Sequence, residues 1–162
     1  GEFLVLHGDL VFDAAYAQAV IDSAIPSLGS VNASLPQPEK DFKARVVGGE
    51  VREVSVKIFD GDCIAFQPFY KLSEEAMGTW LDAVDRFVEA GDVKVYAENA
   101  ANTVFAQMGV AAFSYEGHFV EQQFLPDGLA DEHFWHPQPN AQEDRIAERM
   151  RQLWGERYNS QS

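Results

Sequence analysis

Apolar residues run from Phe3 to Leu6, break at His7-Gly8-Asp9, and resume at Leu10-Val11-Phe12. A continuous apolar run of this length predicts a buried strand, here over residues 3–6. Asp13 stands where a helix cap belongs, before residues 14–23, in which Tyr16, Val20 and Ile21 recur on one face. A strand is expected around residues 29–34, then a proline-punctuated loop. In KARVVGGEVREVSVKI two valine-rich runs flank Gly48-Gly49, which suits a tight hairpin turn. The apolar run over residues 63–66 is expected to end at Pro68.

The clearest helix lies in LSEEAMGTWLDAVDRFVEAGD. Ser73 is its expected N-cap, and Glu74 and Glu75 complement the positive end of its dipole. Met77, Trp80, Leu81, Val84, Phe87 and Val88 recur at helical spacing, and Gly91 marks the stop. VKVYAENAANTVFAQMG predicts a short strand and then a small helix, with Asn99 placed to cap it. VAAFSYEGHFVEQ predicts a last strand that turns at Glu116-Gly117. A proline-rich loop follows, then a helix from about Ala141 capped by Asn140, with Ile146, Met150, Leu153 and Trp154 on one face. Strands mixed with helices and a hairpin insertion give an α/β class.

Composition narrows the function classes. Hydrophobic residues make up 46% and charged residues 23% of the 162, as in a soluble globular domain. The formal net charge of -14 argues against a nucleic-acid surface, which needs a basic patch, and against an anionic membrane surface. No apolar segment approaches the ~20 residues that span a bilayer. The single cysteine, Cys63, sits in an apolar run, where a buried structural thiol is expected; one cysteine excludes an intrachain disulfide and points to a reducing, cytoplasmic setting.

Candidate chemistry begins with Asp9. An unpaired buried carboxylate is costly, so Asp9 either surfaces at the strand end or meets a cation. Ligands of open α/β sheets gather at carboxyl ends of strands. Lys40, Asp41, Lys43 and Arg45 follow the proline-rich loop; Lys43 and Arg45 would share one strand face and hold a phosphate, or simply protect a solvated edge. Tyr96, Glu98 and Asn99 fall at the expected strand-to-helix junction. His133 and His136, beside Asp131 and Glu132, have metal-ligand spacing if helical, but Pro126, Pro137 and Pro139 argue for a loop. No GxxxxGK[ST], GxGxxG or GxSxG motif is present.

In this order and spacing, FLVLHGDLVFD, LPQPEKDFKARV, DCIAFQPFYKLS and VYAENAAN resemble the nucleotidyltransferase family with a Rossmann-like fold. The branch they are most similar to is the cytidylyltransferases that activate phosphocholine or phosphonates. The resemblance covers about residues 3–121. It implies a partial Rossmann-like nucleotidyltransferase fold over residues 1–136, with a mixed sheet and hairpin insertion, and a C-terminal amphipathic helix or tail over 137–162.

The resemblance also implies roles. Asp9 matches the family's metal-binding aspartate, where magnesium would bridge phosphate oxygens if the protein is catalytic. Lys43, Tyr96 and Glu98 match positions around the acceptor, where a ring and a carboxylate suit a cationic head group. The matched part starts downstream of the family's Gly-rich nucleotide loop. Where the family closes with a metal-binding aspartate, this chain has Glu121, Gln122 and then Gln123. The resemblance therefore implies a truncated domain with no catalytic residues of its own. It would bind a small phosphorylated or phosphonate ligand, or act as an oligomerisation module, expected to be a homodimer. The alternative is a cytidylyltransferase completed by the missing half and using CTP.

Overall fold

The computed structural model describes residues 1–122. The expectations for Gln123, for His133 and His136, for the domain boundary at 136 and for the closing helix lie outside these residues.

Eight strands and four helices follow in the order β1 (Glu2–Leu6), β2 (Leu10–Phe12), α1 (Ala14–Asp22), β3 (Leu28–Asn32), β4 (Lys43–Val47), β5 (Glu50–Ser55), β6 (Cys63–Ser73), α2 (Glu74–Glu89), α3 (Ala97–Ala101), α4 (Phe105–Met108), β7 (Ala111–Ser114) and β8 (Val120–Gln122). Six strands make a mixed sheet in the order β1-β6-β3-β7-β5-β4, and β4 also pairs with the start of β6. The β4–β5 hairpin thus curls from β7 back to β6. β2 and β8 form a separate antiparallel ladder. The fold is α/β, as expected.

Local signals explain most elements. The Asp13 carboxylate accepts from the Tyr16 N–H at 2.7 Å and starts α1. The Ser73 hydroxyl accepts from the Ala76 N–H and starts α2. Gly48 and Gly49 both have positive φ, which turns the hairpin with the twist its strands need.

Five expectations are corrected. β1 is apolar yet exposed, because it ends the sheet: Phe3, Leu4 and Leu6 keep 44%, 45% and 41% of their surface. β6 does not stop at Pro68 but runs eleven residues through it. Gly29 faces Tyr70 while Ser30 faces Gln67, so Pro68 and Phe69 form a bulge where no ladder N–H is required. The Ser30 hydroxyl donates to the Phe69 carbonyl at 2.7 Å and satisfies it. No strand precedes the YAENA segment; Val93 and Val95 are exposed, and two short helices follow. Asn99 lies inside α3, whose N-cap is Tyr96. Ile21, Leu81 and Val88, read as core from their spacing, are exposed.

Apolar clusters cover both sheet faces. Phe66, Tyr70 and Leu72 of β6 pack against Trp80 of α2 and Phe105 of α4. On the other face Phe69 packs with Leu28, with Tyr16 and Val20 of α1, and with Leu10 and Val120 of the small ladder.

Candidate functional site

β1 and β3 are each antiparallel to β6, and β3 is parallel to β7. Three strands therefore run the same way and end at one rim, the position where α/β sheets gather ligands. Past the end of β1 come His7, Gly8 and Asp9. The ladder of β2 with β8 sets Leu10 opposite Gln122. That register brings the Gln122 side-chain amide to 3.4 Å from Asp9 Oδ1 and 3.3 Å from His7 Nδ1. Asp9 itself is exposed, which is how its charge is tolerated.

His7 turns its other nitrogen inward. Nε2 lies 3.1 Å from Oε1 of Glu98, a carboxylate with only 1% of its side chain exposed. The same Oε1 accepts from the Tyr70 hydroxyl at 3.3 Å, while Oε2 has no partner among the described residues. The hydrogen bond to Glu98 raises the His7 pKa above its usual value, and burial opposes it. Burial, and then the Glu98 charge, push the Tyr70 hydroxyl far up, so Tyr70 stays a donor. This buried carboxylate fixes the imidazole and ties the end of β1 to α3.

The Phe42 ring stands between His7 and Tyr96, edge-on to each at 5.7 and 5.1 Å between centroids. Beyond it opens a cleft of about 200 Å³ lined by Phe42, Ser55, Lys57, Lys94, Tyr96 and Asn99. Two anchors hold this wall. The Trp80 indole N–H donates to the Ala97 carbonyl at 3.0 Å. The Asn102 side chain bonds both the N–H and the carbonyl of Val54 in β5, at 2.8 and 2.9 Å.

The four residues singled out from sequence thus take different places. Tyr96 is exposed on the cleft wall, and Glu98 is buried behind it with His7. Asp9 lies at the rim with Gln122. Lys43 is fully buried; its ammonium donates to the carbonyls of Pro38 and Val56 at 2.9 and 2.6 Å and sits 3.8 Å from the Phe59 ring centroid. Burial lowers its pKa, against the pull of Asp41. Asp41 is itself raised, chiefly by burial, with the Asp9 charge adding and Lys43 opposing.

Sequence reasoning missed His7, Tyr70, Phe42, Asn102, Lys57 and Lys94. His7 sat in plain view before Gly8-Asp9, and Asn102 closes the VYAENAAN segment. The others carry no local signal. Gln67 Oε1 and the Tyr115 hydroxyl are also buried, and burial, opposed by a contact with Gln67, pushes Tyr115 up to about 12.

The described residues supply at most part of a magnesium site. Such an ion needs one or two carboxylates with phosphate oxygens and waters around it. Asp9 offers one carboxylate and faces an amide nitrogen, and no three His, Cys, Asp or Glu residues among the described ones come together closely enough to hold a metal. Cys63 is buried, with Sγ 3.1 Å from Asp60 Oδ1, and burial raises its pKa. It behaves as a structural thiol. No helix among the described residues is long and apolar enough to cross a membrane.

No family model and no curated protein matches this sequence. Solved structures do match by fold. The inositol-1-phosphate CTP transferase from T. maritima superposes with a TM-score of 0.56 at 12% identity, over 93% of this chain and 56% of that one. A protein assigned as a glucose-1-phosphate thymidylyltransferase from Bacillus anthracis, in complex with a sucrose, gives 0.51 at 10% identity, over 75% and 48%. Both neighbours are nucleotidyltransferases, and the likeness at these identities is one of fold. The chain spans about half the length of each.

Proposed function

We propose that this chain forms the acceptor-binding part of a nucleotidyltransferase-like domain, and that by itself it binds a small phosphorylated or phosphonylated amine without transferring a nucleotide. The cleft carries this reading. It joins two lysines, Lys57 and Lys94, to two aromatic rings, Phe42 and Tyr96, on a chain of net charge -14. Lysines are point charges for phosphate, and an aromatic face attracts an ammonium or choline group. The sequence resemblance to cytidylyltransferases supports the substrate class, and the fold likeness supports the nucleotidyltransferase-like domain alone. The amide beside Asp9 supports the absence of turnover, because a neutral group does nothing to balance a divalent cation.

The test is an NMR titration with phosphocholine and 2-aminoethylphosphonate, with inorganic phosphate as control. Shifts should be confined to the Phe42, Lys57, Lys94 and Tyr96 surroundings and be lost in Lys57→Ala/Lys94→Ala. No shift at millimolar ligand overturns the binding reading. Release of pyrophosphate from CTP and phosphocholine overturns the non-catalytic one. A second reading is turnover when the rest of such a fold is supplied, with Asp9 then one ligand of magnesium. It is favoured by the place of Asp9 at the shared ends of β1, β3 and β7.

A further inference from the structure

β1 ends the sheet with one edge unpaired among the described residues, and its hydrogen-bond phase can be read. The Gly1 carbonyl accepts from the Glu74 N–H, and the His7 N–H donates to the Pro68 carbonyl. With Phe3 opposite Leu72 and Val5 opposite Tyr70, the odd residues are the ones bonded to β6. The N–H and carbonyl groups of Glu2, Leu4 and Leu6 therefore point away from the sheet. An exposed edge is usually blunted by lysine, proline, a bulge or a cover. β1 has none of the first three in Glu2–Leu6, and it is apolar on both faces: Leu4 and Leu6 lie exposed on one, Phe3 on the other. Its single charge, Glu2, is held by Lys71 at 3.2 Å.

We propose that this edge pairs with β1 of a second copy of the chain, antiparallel about a twofold axis at Leu4, making one sheet across two subunits. A second copy fits because the strand is complementary to itself in one full register. Only residues whose backbone groups point outward can bond, so even positions must face even positions. Centring on Leu4 sets Leu4 against Leu4 and Glu2 against Leu6, and uses all six outward groups of each strand. Phe3 then falls beside Val5 of the partner subunit, apolar against apolar. Each copy carries a net charge of -14, so repulsion opposes the pairing and salt should strengthen it.

Sedimentation equilibrium on the full chain tests this, with hydrogen exchange read residue by residue. The expected result is a monomer–dimer equilibrium that tightens with added salt and is lost in Leu4→Lys. In the dimer the Leu4 and Leu6 amides exchange slowly; in Leu4→Lys they exchange freely, while Phe3 and Val5 stay protected in both. Protection of Phe3 and Val5 also shows that the variant is folded. Val47→Lys, at an exposed apolar residue of the hairpin, should leave the dimer intact. A monomer at high micromolar concentration overturns the proposal. So does a dimer indifferent to Leu4→Lys, or a monomer in which the Leu4 amide is already protected, which would put another segment on the edge.

Discussion

Nε2 of His7 and Oε1 of Glu98 meet at 3.1 Å, joining the residue after β1 to the first turn of α3 across 91 positions of sequence (98 − 7). Removing the imidazole leaves a buried carboxylate with Tyr70 as its one hydrogen-bond donor among the described residues. His7→Ala should destabilise the fold by about 1.5–3 kcal/mol, read from the urea midpoint. Glu98→Gln should cost less and return the His7 titration, followed by NMR, toward 6.5. An unchanged His7 titration in Glu98→Gln would show that the pair is not formed in solution.

Lys43 separates a structural lysine from a binding one. Its ammonium already serves two carbonyls, so Lys43→Met should lower stability by about 1–3 kcal/mol. Ligand shifts in the cleft should persist in the folded fraction. Loss of ligand binding with unaltered stability would reverse that assignment.

Asn102 makes the same kind of case by its two bonds to Val54. Asn102→Ala leaves a backbone N–H and a carbonyl without partners beside the core, at a cost of about 1–3 kcal/mol. Hydrogen exchange at Val54 should speed up more than at Val51, whose N–H bonds to the Val110 carbonyl instead.

Acid should loosen the loop before β6. Hydrogen bonds from Arg45, and then from Cys63, hold the Asp60 carboxyl at about 2, below its ordinary 3.8. A lowered folded-state value means that the contribution to stability is present above 3.8 and fades as the pH falls toward 2. Asp60→Asn should therefore narrow the difference in urea midpoint between neutral pH and pH of about 2.5. An unchanged difference would mean that the ion pair adds nothing.

Asp9→Asn should alter stability by no more than about 0.5 kcal/mol, because the side chain is exposed and makes one long contact with Gln122. A loss of several times that size would show Asp9 doing structural work that its geometry does not display.

Capping and turn chemistry were legible because they are local. Asp13, Ser73 and Gly48-Gly49 each act on neighbours within a few residues. The exposure of β1 was not legible, because an apolar run looks the same in the middle of a sheet and at its edge. Pro68 misled for a related reason: the bulge that admits it depends on Ser30 in another strand. In the candidate site, Tyr96 and Glu98 were named from the sequence, yet their neighbours Phe42 and His7 come from distant segments joined by sheet topology. Lys43 was placed on the right strand, and only packing shows that its charge is spent on carbonyls.

Strand β6 pairs with β1, β3 and β4, all of which precede it in the chain. On the ribosome β1 and β3 leave the exit tunnel before Cys63–Ser73 has emerged to receive them, whereas β4 can first pair with β5. The nascent chain must therefore carry β1 and β3 without that partner until β6 itself has emerged, the period when a chaperone has most to shield. Codon choices that slow synthesis before β6 has emerged from the tunnel would lengthen that interval and should lower the yield of soluble protein, while a pause placed after its emergence should not.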